Sequence, residues 1–298
     1  MRTAAVLVLS AAAVTAQDPA WERIEPRAEI GAIAWRRDFD RALADAKQHG
    51  KPVFLLFQEI PGCATCTGFG KDVLEHALLK EAIETEFVSV LVRNNVEGPE
   101  DAIRRRYEEP AWNNPVVRFV DGDGEDLLPR KDGVWDAHGI ARRMVETLQK
   151  AKRPVPGYLE VALCETAPKT ATAVFRMHCF WEGEAVLGAL DGVVATRSLW
   201  RGQAEVVEVT FRPDVITEQR LTEHAQAKSC EPVEADGLRP AKASDQQHAL
   251  GGTVYARLDL TPMQRTKLHA ALTLGTDADR WLTPTQRAKL AALRAEDK

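Results

Sequence analysis

The sequence predicts an α/β protein in two parts: an N-terminal α/β domain and an α+β domain, the latter followed by a C-terminal helical pair. Three observations predict it. Apolar runs at Pro52–Phe57, Phe87–Val92 and Pro115–Val120 alternate with stretches of helical periodicity. After the Pro- and Gly-rich join at 151–157, a second set of strand patterns begins. Near the end, Leu260-Thr261-Pro262-Met263-Gln264-Arg265 is repeated as Leu282-Thr283-Pro284-Thr285-Gln286-Arg287. The expected units are a leader at 1–16, a first domain at 17–152, a linker at 153–157, a second domain at 158–258 and the helix pair at 259–298.

In the first unit, Phe39, Leu43 and Ala46 recur at helical spacing and Gly50 follows as a stop, so 38–49 reads as an amphipathic helix. Pro52 to Phe57 is continuously apolar, the pattern of a central strand covered on both faces. Cys63-Ala64-Thr65-Cys66 follows the Pro61-Gly62 turn, and one helix is expected to run from it to about Glu84. Phe87–Val92 and Pro115–Val120 are the next strands; the turn Asp121-Gly122-Asp123-Gly124 leads into a short fourth near Asp126–Leu128, and Asp136–Lys150 closes the unit as a helix. In the second unit, strands are expected at Ala171–Met177, around Val193–Leu199 and at Ala204–Phe211, with helices starting near Phe180 and running from Thr217 to about Lys228. Each repeat copy offers Thr as N-cap, Pro at the first helical position and Gln at the third, so two short helices with a structural role are expected.

At 298 residues the chain has room for two ordinary cores. A net charge of -5 with both signs interspersed offers no basic face, so neither nucleic acid nor an anionic membrane is an expected partner. Met1-Arg2, an apolar stretch from Ala4 to Val14 and small residues up to Ala16 read as a secretory signal cleaved after Ala16. That stretch is too short for a permanent membrane span, so a periplasmic or secreted location is expected. Export matters for the five cysteines, Cys63, Cys66, Cys164, Cys179 and Cys230, because thiols in an oxidising compartment persist when paired, buried or actively reduced. No cofactor and no metal is expected.

A two-residue gap at a helix start brings Cys63 and Cys66 within bonding reach, and the helix dipole favours the first sulfur as thiolate, the nucleophilic form. Cys63 would attack and Cys66 resolve. A structural disulfide and half of a zinc site are the competing readings; the latter needs a second Cys or His pair at matching spacing, and none stands nearby in sequence. With Trp35, the Lys51–Phe57 strand and Asn114-Pro115, the segment from about 20 to 150 resembles the thioredoxin superfamily. The resemblance implies a thiol/disulfide partner and a cis-proline at Pro115, lying against the dithiol where substrate binds. Gly62-Cys63-Ala64-Thr65-Cys66 stands in place of the family's usual Trp-Cys-Gly-Pro-Cys.

The second candidate is Cys179, where an apolar strand gives way to a helix, followed by Phe180, Trp181 and, one turn on, Glu184. The competing reading is a buried cysteine with core aromatics. The stretch His178-Cys179-Phe180-Trp181-Glu182-Gly183-Glu184, with Asp191–Gly202 and Ala204–Pro213, is similar to the A-type peptide methionine sulfoxide reductases. That likeness, over about 170–225, implies that Cys179 attacks sulfoxide sulfur, Glu184 protonates the departing oxygen, and Phe180 and Trp181 hold the methyl group. Here His178 replaces the family's Gly and Trp200 a tyrosine; Trp200, Tyr255 or His248 would have to serve the sulfoxide oxygen. Cys230 is the candidate resolving thiol, and Cys164 is expected to be a buried structural one. The function expected from the two halves is reduction of methionine sulfoxide in exported proteins or peptides by Cys179, recharged from Cys63/Cys66. The alternative is disulfide exchange with the second domain kept for binding, and a non-enzymatic envelope module is a third class.

Overall fold

The computed structural model describes residues 24–25 and 27–297; the expected leader lies outside them. The first sheet has order β2-β1-β3, built from β1 (Val53–Gln58), β2 (Val88–Arg93) and β3 (Val116–Val120), with β1 parallel to β2 and antiparallel to β3. All six residues of β1 are buried because both faces are covered. Strand alternation divides them: Phe54 and Leu56 enter one apolar cluster, Val53, Leu55 and Phe57 the other.

The second of these clusters is closed by α1 (Phe39–His49), whose Phe39, Ala42, Leu43 and Ala46 line the strip facing the sheet. Asp38 caps this helix through Arg41 N–H at 3.0 Å, and Gly50 ends it in the left-handed region. The opposite face is covered by α2 (Ala64–Phe69), α3 (Ala77–Thr85) and α5 (Ala137–Lys150), while α4 (Pro99–Arg106) leads from β2 toward β3.

Two sequence expectations fail here for identifiable reasons. The helix expected from the dithiol to Glu84 is broken into α2, a π turn at Gly70–Leu74, and α3. At Gly70 the chain crosses the turn Ala28–Ile30 so closely that a Cβ would stand 1.7 Å from Ala28 O. The fourth strand near Asp126–Leu128 is reduced to a single bridge between Val120 and Asp126: Leu127 N–H still donates to Phe119 O at 2.8 Å, but Pro129 has no N–H for the next rung.

Beyond the proline-containing join, α6 (Gly157–Glu165) returns to the first core. Tyr158, Leu159, Val161 and Ala162 are buried in the same cluster as Phe54 and Phe119, and Tyr158 Oη bonds Thr85 Oγ1 and Glu86 Oε1 at 3.0 Å each. The second sheet is antiparallel, order β7-β4-β6-β5-β8, from β4 (Ala171–Met177), β5 (Val193–Arg201), β6 (Ala204–Phe211), β7 (Glu231–Val233) and β8 (Leu238–Pro240). Val207, Val209 and Phe211 of β6 pack with Phe180 and Leu187 of α7 (Phe180–Gly188) and with Leu221 and Ala225 of α8 (Glu218–Ala227).

The repeats form α9 (Pro262–Leu274) and α10 (Pro284–Glu296), each opened by a complete capping box, Thr261 with Gln264 and Thr283 with Gln286. The two capping glutamines also bond each other, Gln264 Nε2 to Gln286 Oε1 at 2.7 Å and the reverse at 3.0 Å. Each further donates to the residue two before the other copy's cap, Trp281 O and Asp259 O, so the repeat becomes a local two-fold pairing. α9 is also wedged against α7: Lys267 Nζ donates to Gly188 O and Leu190 O at 2.8 and 2.7 Å, and a ring nitrogen of His269 lies 2.9 Å from Trp181 O.

Candidate functional site

Cys63 is the N-cap of α2, directly after the tight turn Ile60-Pro61-Gly62. Gly62 is required there, since a Cβ would fall 2.5 Å from both Cys66 Cβ and Glu59 O. Cys63 is exposed and Cys66 is buried; their sulfurs are 3.5 Å apart as free thiols. The loop is held by groups distant in sequence. Buried Gln58, ending β1, donates to Glu29 O and Cys66 O at 2.5 and 3.2 Å. Glu29 Oε1 accepts from Gly62 N–H at 3.0 Å, and Asn95 binds Ile60 N–H and Pro61 O.

The two thiols are driven apart in acidity. The backbone N–H of Cys66 at the start of α2 pulls Cys63 below the ordinary thiol value. Burial, followed by the neighbouring Cys63 sulfur, pushes Cys66 up to about 11. Because α2 is only six residues long, local N–H groups rather than a long helix dipole supply the effect. The result is an exposed nucleophile beside a thiol that keeps its proton at neutral pH.

The Pro115 loop reaches the dithiol, with Cys63 Sγ donating to Asn114 Oδ1 at 3.4 Å. Its peptide is nevertheless trans; the cis peptide among the described residues is Ile60–Pro61, on the turn before Cys63. This corrects the cis-proline expectation. The contact with the sulfur is made by the Asn114 side chain, and Trp135 Nε1 donates to Pro115 O at 3.0 Å. Trp112, at φ 56° and 72% exposed, and half-exposed Trp135 place two indoles in and beside this loop. The sequence reading missed Glu29, Gln58, Asn95 and both tryptophans, and named Asn114 only as the neighbour of Pro115, without a role at the sulfur.

Cys179 caps α7 and is half-buried. One of the free amides at that helix start is taken: Glu205 Oε2 accepts from Phe180 N–H at 2.7 Å, placing a carboxylate at the positive end of α7. Phe180 is buried with Trp200 edge-on at 5.4 Å, and Trp181 stacks on His248 at 3.9 Å. Glu184 is fully buried; its carboxylate accepts from Gln247 N–H at 2.9 Å and Gln247 Nε2 at 3.2 Å. Burial raises it to about 7, against the lowering influence of the Gln247 N–H. Tyr255 is committed elsewhere, its hydroxyl on Asp279 at 2.6 Å and receiving Arg294 at 2.9 Å. Cys230 is sealed at 2% exposure among the apolar residues around Phe175 and Phe180, and burial raises its thiol. Cys164, expected to be buried, is only partly so; it faces Arg212 Nη1 at 3.8 Å, because the cleft between α6 and Lys267 stays open there.

A family model described as thioredoxin-like matches residues 34–122, which include Cys63, Cys66, Asn114 and Pro115. A solved structure described as DsbH oxidoreductase is similar at 18% identity and a TM-score of 0.33, over 42% of this chain and 91% of that one. No curated protein matches the chain. The fold and the site together define the N-terminal half as a thioredoxin-like domain carrying a CxxC dithiol. No helix among the described residues is long and apolar enough to cross a membrane.

Proposed function

We propose that the chain is an exported thiol oxidoreductase working by disulfide exchange at Cys63. The observation that carries this reading is the asymmetric dithiol: an exposed sulfur more acidic than an ordinary thiol, 3.5 Å from a buried one whose pKa is raised to about 11. The Cys63 thiolate attacks one sulfur of a partner disulfide; that bond breaks, and the leaving sulfur departs with the electron pair and takes up a proton. Cys66 then loses its proton and attacks Cys63 Sγ, forming the Cys63–Cys66 bond and releasing the partner as a dithiol. Reduction of insulin disulfides by the full chain tests it. Cys63→Ser should bring the rate to the uncatalysed level and Cys66→Ser should accumulate the mixed disulfide; an unchanged rate in Cys63→Ser would refute the assignment.

A second reading, reduction of methionine sulfoxide at Cys179, is favoured by one specific arrangement: a half-exposed cysteine at the head of the helix that carries Phe180 and Trp181, with Trp200 edge-on to Phe180, and an acid raised to about 7 one turn beyond Phe180. In it, Cys179 attacks the sulfoxide sulfur while Glu184 protonates its oxygen; the oxygen passes to Cys179 Sγ as the substrate leaves as thioether, and the resulting sulfenic acid is returned to thiol by the dithiol of the first half, which becomes a disulfide as the oxygen departs as water. Burial of Cys230 argues for Cys63 rather than Cys230 as the sulfur that resolves it. Turnover of a methionine sulfoxide peptide with dithiothreitol decides the matter: loss in Cys179→Ser supports it, and inactivity of the unmodified chain ends it.

A further inference from the structure

The structure brings a third ligating group to the dithiol that sequence spacing did not reveal. Glu59 directly follows β1, and one of its carboxylate oxygens lies within 4.8 Å of both Cys63 Sγ and Cys66 Sγ, as the sulfurs do of each other. Two thiolates and a carboxylate converging on one point form a ligand set for a borderline-soft divalent cation.

The separation of the sulfurs bears on this. A tetrahedral ion with Zn–S bonds of about 2.3 Å holds two thiolates about 3.8 Å apart. The observed 3.5 Å differs from that by a few tenths of an ångström, whereas a disulfide requires about 2.05 Å. Dithiol geometry therefore fits a metal chelate with little movement. The backbone is fixed in advance, since Gln58 holds Cys66 O, Glu29 holds Gly62 N–H and Asn95 holds Ile60 and Pro61. A fourth position is left for water or for the Asn114 amide oxygen, already 3.4 Å from Cys63 Sγ.

We propose that the reduced chain binds one Zn²⁺ through Cys63, Cys66 and Glu59. Binding displaces the two thiol protons and occupies the attacking sulfur, so the ion masks the nucleophile. Forming the Cys63–Cys66 bond removes both sulfur ligands, so the oxidised chain has no such site. The proposal shares its sulfurs with the redox reading but does not require that reading to be true.

The test uses the full chain, reduced and freed of metal, titrated with Zn²⁺ against a chromophoric chelator. One equivalent should bind, and the Cys63→Ser/Cys66→Ser double variant and the diamide-oxidised chain should lose it. Glu59→Gln should weaken it by at least about tenfold, the usual loss for even an outer-shell partner. Zn²⁺ should also slow alkylation of Cys63, and Co²⁺ in its place should show the visible bands of a tetrahedral thiolate site. Equal affinity in Glu59→Gln, or in the oxidised chain, would overturn the proposal. Insulin reduction measured separately in excess chelator reports on the redox function alone, so a chain that binds Zn²⁺ yet reduces nothing would sink that function and leave the metal site standing.

Discussion

Cys63 and Cys179 occupy the same local position, the residue before a helix, yet the protein treats them differently. At Cys63 the Cys66 N–H faces the sulfur and a second thiol waits 3.5 Å behind it. At Cys179 the first helical amide is bonded to Glu205 instead. The same position in the chain therefore comes with different charges around it: an N–H turned to a sulfur at α2, a carboxylate on the first amide at α7.

The largest expected effect separates the two sites outright. In Cys66→Ser, a peptide disulfide should be captured as a stable adduct on Cys63, detected by mass mapping, while Cys179 remains unmodified; capture on Cys179 would erase the contrast. Next in size is the buried acid. Glu184 titrates near 7 in the folded chain against an ordinary carboxyl value of 4.5, so between those values the unfolded chain ionises while the folded one stays protonated. Its contribution is fully present below the unfolded value and is lost as pH rises to about 7. The loss is about 3 kcal/mol. The denaturant midpoint of the parent should fall as pH rises from 4.5 to about 7 while that of Glu184→Gln does not, so the two curves separate toward the upper end; parallel curves would count against a raised acid.

A smaller change tests the cause proposed for the difference between the helices. Glu205→Gln removes the charge competing at α7, an effect worth about 0.3–1 kcal/mol for an exposed helix end, so alkylation of Cys179 should quicken by about two- to fivefold. No change would mean that Glu205 does not restrain it. Smallest is Asn114→Ala: the amide oxygen accepts from the Cys63 thiol, so its removal favours the thiolate and should speed Cys63 alkylation at neutral pH by no more than a few-fold. A decrease would mean that Asn114 supports the reactive form instead.

How much of this was legible in the chain depended on the range of the interaction. β1 could be read because burial on both faces leaves a continuous apolar run, and the caps of α9 and α10 because Thr261/Gln264 and Thr283/Gln286 act within one turn. The CxxC was legible for the same reason. The groups that set the dithiol in place were not: Glu29, Gln58 and Asn95 reach it through contacts between separate elements, and no period in the sequence encodes them. The break after α2 was invisible because it depends on Ala28 O meeting Gly70. The apparent fourth strand amounts to one bridge, Val120 with Asp126, ended by Pro129, which has no N–H for a ladder. For the second site, sequence located Cys179, Phe180, Trp181, Trp200 and Glu184, but not Glu205, which pairs with them only once β6 lies beside α7.

The most direct test of the account is the pH dependence of Cys63 alkylation in the reduced, metal-free chain, followed by mass spectrometry at that residue. The account expects the rate to rise with a midpoint clearly below the ordinary thiol value of 9.0, while buried Cys66 stays unlabelled through neutral pH. A midpoint at or above that value, or labelling of Cys66 ahead of Cys63, would contradict it.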